Sequence, residues 1–252
     1  KRPDPSVYFS GGPGYAGIEA AKGFADRGLA PDRDVITFDQ RGTGRSRPSL
    51  DCPEVDDATF HLFETTDPPD QEAARMSDAF STCRLRLANA RVDLSMYDTP
   101  TVADDVADLR TALGIDEWNL YGASYGTTVA LEMLRRHPEG VRSVVLDSVY
   151  PPDVPPGGTS ALAAADRVFD TLFAGCAADR SCHRAHPDLR RELRAAVDRL
   201  NAHPYALALD VGGRTLQGHF TGTDLVGGLF NALYDTSLIP LLPYFIGQVA
   251  RG

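Results

Sequence analysis

The chain has 252 residues, of which 42% are hydrophobic and 24% charged, with a formal net charge of −10. That length accommodates one large α/β domain or a domain with an insertion, and the composition is ordinary for a soluble globular protein. The acidic balance argues against nucleic acid as a partner, because phosphate backbones reward clustered Lys and Arg; the acids are dispersed, as solubility alone requires.

Ser6 to Ser10 is a short β-prone run that ends in Gly11-Gly12-Pro13-Gly14. Asp34 to Asp39 is expected to be a second strand, leading into the loop Gln40-Arg41-Gly42-Thr43-Gly44-Arg45-Ser46. Arg41 and Arg45 lie beside glycines, but no phosphate-loop Lys-Ser/Thr follows, so structural tethering of the loop is the better reading. From Asp51 to about Leu94 the chain is polar and interrupted, with Pro68-Pro69 preceding an expected helix over Gln71–Ala88. Val102, Val106, Leu109 and Leu113 recur at helical spacing, which predicts a helix over Thr101–Leu113 with Thr101 as its cap and Gly114 as its stop.

The apolar run Trp118 to Tyr121 reads as a strand, and Tyr125 to Arg136 as the helix after it, closing at His137-Pro138-Glu139-Gly140. Between them Ser124 stands in Gly122-Ala123-Ser124-Tyr125-Gly126, a Gly-x-Ser-x-Gly pattern on a strand-to-helix turn. Such a turn strains the serine backbone, exposes its hydroxyl beside a helix N-terminus and needs small neighbours for close packing. Val141–Ser148 is then expected to be a further buried strand. Strands alternating with helices imply βαβ units and a mostly parallel sheet with both faces covered.

The composition shifts at the linker Pro151–Gly158. Beyond it Ala161–Ala174, Leu189–Asn201 and Asp224–Tyr234 read as helices and Ala206–Val211 as a short strand, so residues 154–252 are expected to form a second, largely helical unit after a core of residues 1–153. The most apolar segment, Ser237 to Ala250, is broken by Pro240 and Pro243 and is too short to span a membrane. The sequence opens on Lys1-Arg2-Pro3 with no apolar signal region, so residue 1 is expected to be a processed start.

Cys52, Cys83, Cys176 and Cys182 allow three pairings. Their spacing favours Cys176–Cys182 and Cys52–Cys83 bridges, each worth roughly 2–4 kcal/mol, and these place the chain in a secreted or cell-envelope setting. The alternative is four buried free thiols in a cytoplasmic enzyme. Cys176, Cys182, His183 and His186 also invite a zinc reading, but the spacing matches no common zinc pattern and disulfides already account for the cysteines, so no metal is expected.

With these segments assembled, residues 6–153 resemble the α/β-hydrolase serine peptidases of the proline iminopeptidase and tripeptidyl aminopeptidase family. The resemblance rests on Phe9-Ser10-Gly11-Gly12-Pro13-Gly14, on Phe38-Asp39-Gln40-Arg41-Gly42-Thr43-Gly44-Arg45-Ser46, on the Ser124 pentapeptide, and on His137-Pro138 followed by Val144-Val145-Leu146-Asp147. The segment Cys176 to Cys182 looks like the secreted actinobacterial branch. What the resemblance implies is an α/β-hydrolase fold with an inserted helical cap at residues 154–252, an acyl-enzyme at Ser124, and an oxyanion held by the backbone N–H groups of Gly12 and Tyr125. Glycine at positions 11, 12 and 14 lets backbone approach a reacting carbonyl, and such donors are worth roughly 3 kcal/mol each. Ser10 stands where iminopeptidases often carry histidine. No cofactor is required.

In that family the triad acid and histidine follow the cap, so part of the fold is expected to lie outside both ends of this segment, and both groups with it. Within the chain, His137 reads as a helix stop, and His61, His183, His186, His203 and His219 carry no catalytic-loop signal. Asp147 is the best internal acid, although capping of a turn is the commoner role for such a residue. The expectation is an aminopeptidase releasing residues or short peptides from peptide N-termini, with Asp224 and Asp235 as candidate carboxylates for the substrate ammonium. The alternatives are an esterase or lipase of the same fold, or a non-catalytic binding module or inactive fragment. The oligomeric state is not legible.

Overall fold

The computed structural model describes residues 1–26, 32–154 and 158–252, with side chains described throughout except at 22, 24–26 and 158–161. Two units divide the chain: unit 1 comprises Lys1–Glu54 and Phe80–Pro155, and unit 2 comprises Val55–Ala79 and Pro156–Gly252. The middle of the expected linker, residues 155–157, lies outside the described residues.

Unit 1 is built on a parallel sheet of β1 (Ser6–Phe9), β2 (Val35–Ile36), β3 (Trp118–Ala123) and β4 (Val141–Asp147), in the order β2-β1-β3-β4. Helices α1 (Gly17–Asp26), α4 (Thr99–Ala112) and α5 (Tyr125–Arg136) alternate with the strands. Val7, Phe9, Trp118 and Leu120 pack against Val102, Ala103 and Val106 of α4 and Val129, Ala130 and Met133 of α5. Each large apolar side chain so buried contributes about 1.5–3 kcal/mol. The opposite face carries Tyr8 and Tyr121, which sit in register with ring centroids 5.7 Å apart.

Several expectations need correction. The second strand pairs over only Val35–Ile36, because the chain then leaves β1 for a loop organised by Asp39. The Asp39 carboxylate accepts the N–H of Ile18 at 2.9 Å and of Arg45 at 2.8 Å, tying the loop to the first turn of α1, where a negative charge complements the helix dipole. Helix α1 has no counterpart among the elements expected from the sequence, and its start is where a β-carbon on Gly17 would lie 2.0 Å from the Phe38 carbonyl oxygen. Strand β4 is covered on one face only: Val144 and Leu146 pack on the core, whereas Val145 is 48% exposed. The cap of α4 is Asp98, whose carboxylate accepts from Thr101 N at 2.8 Å; Thr101 lies inside the helix, and Gly114 follows at φ 65°.

Asp4 ties the sheet together from outside its strands. Its carboxylate accepts from Arg33 Nε at 3.1 Å, Arg142 Nη1 at 3.1 Å and Asn119 Nδ2 at 3.0 Å. The Asn119 bond, with Arg33, holds its carboxyl down at about 2. A carboxyl depressed on folding stabilises fully above its ordinary value, near 3.8, and loses that contribution as pH falls through the folded value. Asp4→Asn is therefore expected to lower the melting temperature at pH 6, with the gap to wild type closing between about pH 4 and pH 2. A gap unchanged at pH 2.5 would remove Asp4's charge from the account.

Unit 2 holds α6 (Gly158–Ala178), α7 (Arg180–Ala185), α8 (Leu189–Ala202), α9 (Gly222–Ala232) and α10 (Leu242–Arg251), with an antiparallel hairpin of β5 (Tyr205–Val211) and β6 (Arg214–Phe220). Its core gathers Leu172, Cys176, Leu189, Ala196, Leu225 and Ile246. Strand β6 adds to the single expected strand, and Gly212-Gly213 at φ 58° and 82° is the two-residue turn that joins the two runs. The segment 55–79, which the sequence grouped with the core, belongs to unit 2. It is made by two helices not fully foreseen, α2 (Pro53–Glu64) and the first half of α3 (Pro69–Asn89). Phe63 sits so close to the hairpin that a β-carbon on Gly218 would meet its ring at 2.0 Å, and Arg214 bonds Glu64 at 3.3 Å.

Both expected disulfides form and consume all four cysteines, with Cα–Cα distances of 5.5 Å for Cys52–Cys83 and 5.1 Å for Cys176–Cys182. Separations of 31 and 6 residues give chain-entropy stabilisations of about 4 and 2 kcal/mol. Two disulfides are compatible with an extracellular location. Among the described residues no helix is long and apolar enough to cross a membrane.

Candidate active site

Strand β3 ends and α5 begins within one residue, and that residue is Ser124. Its backbone sits at φ 52° and ψ −119°, a conformation that favours glycine and costs a serine about 1–3 kcal/mol. Two glycines make the sharp turn feasible. A β-carbon on Gly122 would lie 2.4 Å from the Gly126 carbonyl oxygen, and one on Gly126 would lie 2.1 Å from the Phe9 carbonyl oxygen. The strain is held from both sides. Ser124 N–H donates to the Asp147 carbonyl at 2.9 Å, and Thr127 donates to the Ser124 carbonyl through N at 2.9 Å and Oγ1 at 2.6 Å. Tyr150 closes the arrangement by donating its N–H to Thr127 Oγ1 at 2.7 Å, while its carbonyl accepts from Thr128 Oγ1 at 2.7 Å.

Ser124 is exposed while the strand leading to it and the helix turn after it are largely buried. Its hydroxyl does not cap α5. The hydroxyl therefore remains available, next to N–H groups that a helix start leaves without intrahelical acceptors, Tyr125 N–H first among them. The Gly-Gly-Pro-Gly loop lies directly against it: a β-carbon on Gly11 would come 3.1 Å from Ser124 Cβ and 3.7 Å from its Oγ. Gly12 and Gly14 in that loop adopt φ 63° and 98°, which side-chain-bearing residues rarely do. Ser10 is buried and points its hydroxyl back to the Tyr15 carbonyl at 3.4 Å.

The neighbouring charged groups are largely structural. Arg41 makes two bonds to Asp105, at 2.7 and 2.6 Å, and a third to the Met96 carbonyl at 2.6 Å; the Asp105 bond raises its already high pKa. That is the tethering expected of Arg41. Asp147 accepts hydroxyls from Tyr121 and Ser148, each at 3.1 Å. Tyr125 OH lies 3.1 Å from Thr99 Oγ1.

Unit 1 contains one histidine, His137, and it cannot serve Ser124. It caps the far end of the 12-residue α5, about 18 Å along the axis from the turn, and hydrogen-bonds Asp104 at 2.7 Å. In unit 2, His186 pairs with Glu192 at 2.7 Å and His61 faces Asp67 at 3.4 Å. Asp224 is bound to Thr221 in a capping box, and Asp235 accepts from Ser237 N and Oγ, which pulls its carboxyl below the usual range. Among the described residues one group of metal-ligand types lies together, Cys52, Glu54 and Cys83, but both sulfurs are committed to a disulfide and offer no thiolate.

A profile of the alpha/beta hydrolase fold matches residues 7–219. The chain belongs to the α/β-hydrolase family. The serine protease Hip1 of Mycobacterium tuberculosis (strain ATCC 25618 / H37Rv) is 29% identical over 191 residues, covering 68% of this chain and 35% of that protein. The proline iminopeptidase of Xylella fastidiosa (strain 9a5c) is 27% identical over 147 residues, covering 58% of this chain and 32% of the relative. The chain thus spans about a third of the length of the curated relatives it matches. Among solved structures, a proline iminopeptidase-related protein from Thermus thermophilus aligns at 24% identity and a TM-score of 0.35, over 57% of this chain and 36% of that one. This α/β-hydrolase therefore has peptidase-named relatives at modest identity, and its parallel sheet flanked by helices agrees with the family.

Proposed function

We propose that this α/β-hydrolase is a serine peptidase that releases residues or short peptides from peptide N-termini. The observation that carries the reading is the strained, exposed Ser124, with the glycine loop against its hydroxyl. Ser124 Oγ attacks the scissile carbonyl, giving up its proton to a histidine. The oxyanion is held by the N–H groups of Gly12 and Tyr125. Collapse expels the amine, which takes the proton back from the histidine, and water activated by the same histidine then hydrolyses the ester on Ser124. The histidine comes from outside unit 1, since His137 is bound at the wrong end of α5. We place it and its acid partner outside these residues, following the chain order of serine, acid and histidine in such folds. Unit 2 is proposed as the cap whose side chains set substrate preference, and the two disulfides support a secreted or cell-envelope protein.

The names of the relatives favour a peptidase over an esterase. Turnover of an N-terminally free peptide anilide, its N-acetylated analogue and a short-chain ester tests this. The expected order places the free peptide first, with at least tenfold loss on blocking. A clear preference for the ester would replace the peptidase reading with an esterase.

A further inference from the structure

Unit 1 contains a cavity of about 200 Å³, lined among others by Gly14, Gln40, Leu50, Tyr97, Asp98 and Tyr125. Tyr125, whose N–H is one proposed oxyanion donor, lines it, and so does Gly14, two residues beyond Gly12. Two buried polar side chains line it, Gln40 at 7% exposure and Thr43 at 8%. Thr43 is satisfied: its Oγ1 donates to the Gln40 carbonyl at 3.0 Å. The Gln40 carboxamide, by contrast, has no hydrogen-bond partner among the described residues. The cavity is the place from which a partner can come.

The site is built in advance. Gly42 adopts φ 82°, and a β-carbon there would lie 2.7 Å from Leu50 Cγ and 3.1 Å from Tyr97 Cδ1, so the walls close directly onto its backbone. Leu50 N–H donates to the Gly42 carbonyl at 2.9 Å, and Arg41 is fixed by Asp105. A rigid subsite spends little on ordering itself when it is filled.

Its chemistry is selective. A carboxamide offers an acceptor and two donors, and it complements a peptide group, which presents C=O and N–H together. Asp105 compensates the Arg41 charge, while Asp51 and Asp98 add further carboxylates to the lining. The Thr101 hydrogen bonds keep the Asp98 carboxyl below its usual range, so it stays ionised. A free carboxylate is repelled here and a neutral amide is not. The volume is under the roughly 300–1,000 Å³ of sites that enclose whole ligands, which suits one residue of an extended peptide.

We propose that this cavity is a peptide-group subsite in which the Gln40 carboxamide hydrogen-bonds a backbone amide of the substrate flanking the scissile bond. It deepens the function proposed above and rests on it for the identity of that bond.

Calorimetric titration of the tripeptide amide Ala-Ala-Ala-NH2 into full-length protein carrying Ser124→Ala tests the subsite without turnover. Gln40→Met in that background is expected to raise Kd at least tenfold. Leu50→Trp, which fills the cavity from another wall and keeps Gln40, is expected to do the same and serves if Gln40→Met does not fold. An unchanged Kd in either folded variant, or no binding to the parent, overturns the proposal. Fluorophosphonate labelling of the wild type separates the two readings. Labelling with Gln40-independent binding removes the subsite alone, whereas Gln40-dependent binding without labelling removes the serine-hydrolase function alone.

Discussion

Ser124→Ala is expected to abolish fluorophosphonate labelling and to lower kcat/KM on a peptide anilide by roughly 10⁴-fold or more, since nucleophile and base act as a unit. Stability should move the other way in a companion variant. Ser124 holds φ 52°, where glycine has no β-carbon to strain. Ser124→Gly is therefore expected to gain about 1 kcal/mol in denaturant unfolding while losing activity as completely as the alanine variant. Residual labelling of Ser124→Ala would move the nucleophile elsewhere. A Ser124→Gly variant less stable than Ser124→Ala would mean that the turn carries no strain.

Gly126→Ala carries the largest stability effect. Its β-carbon would lie 2.1 Å from the carbonyl oxygen of Phe9 and 2.7 Å from the carbonyl carbon. Both atoms are backbone of β1, in a ladder where Phe9 pairs with Gly122, so neither can swing aside as a flexible side chain would. The elbow must separate from the sheet, and a loss of about 4 kcal/mol or failure to fold is expected. Gly227→Ala is the matched control. It stands inside α9 with nothing within 4 Å of the added carbon and should stabilise by about 0.5–1 kcal/mol. Melting temperatures of the two variants moving in the same direction would contradict this contrast.

The elbow was legible because its requirements are local. Glycine at 122 and 126, a serine between them and the change from strand to helix are all written within nine residues, and the helix bounds Tyr125–Arg136 follow. The disulfides were legible for a related reason, since spacing alone restricts who can meet whom. What escaped depended on distant partners. Helix α1 hides behind the glycine loop and is anchored by Asp39, 21 residues from Ile18. The α4 cap was displaced to Asp98 because a carboxylate before Thr99-Pro100 outcompetes the threonine inside the helix. Residues 55–79 looked like an irregular stretch of the core, because their partners, Gly218 and Arg214, lie about 150 positions later. The sequence presents Gln40 only as part of a loop motif. A polar residue in a glycine-rich loop is ordinarily solvated, and no local pattern signals that this one is enclosed.

The bridge between Cys52 and Cys83 spans the excursion of residues 55–79 out of unit 1, closing its two stems on one another. Unit 1 is thereby shielded from the length of what lies between them. Doubling a loop whose ends are already stapled adds only about 0.6 kcal/mol of closure entropy, even before the staple is counted. That makes the excursion a tolerant place for insertion and sequence drift, where a lineage can redraw the surface contributed to unit 2 without loosening the turn that holds Ser124.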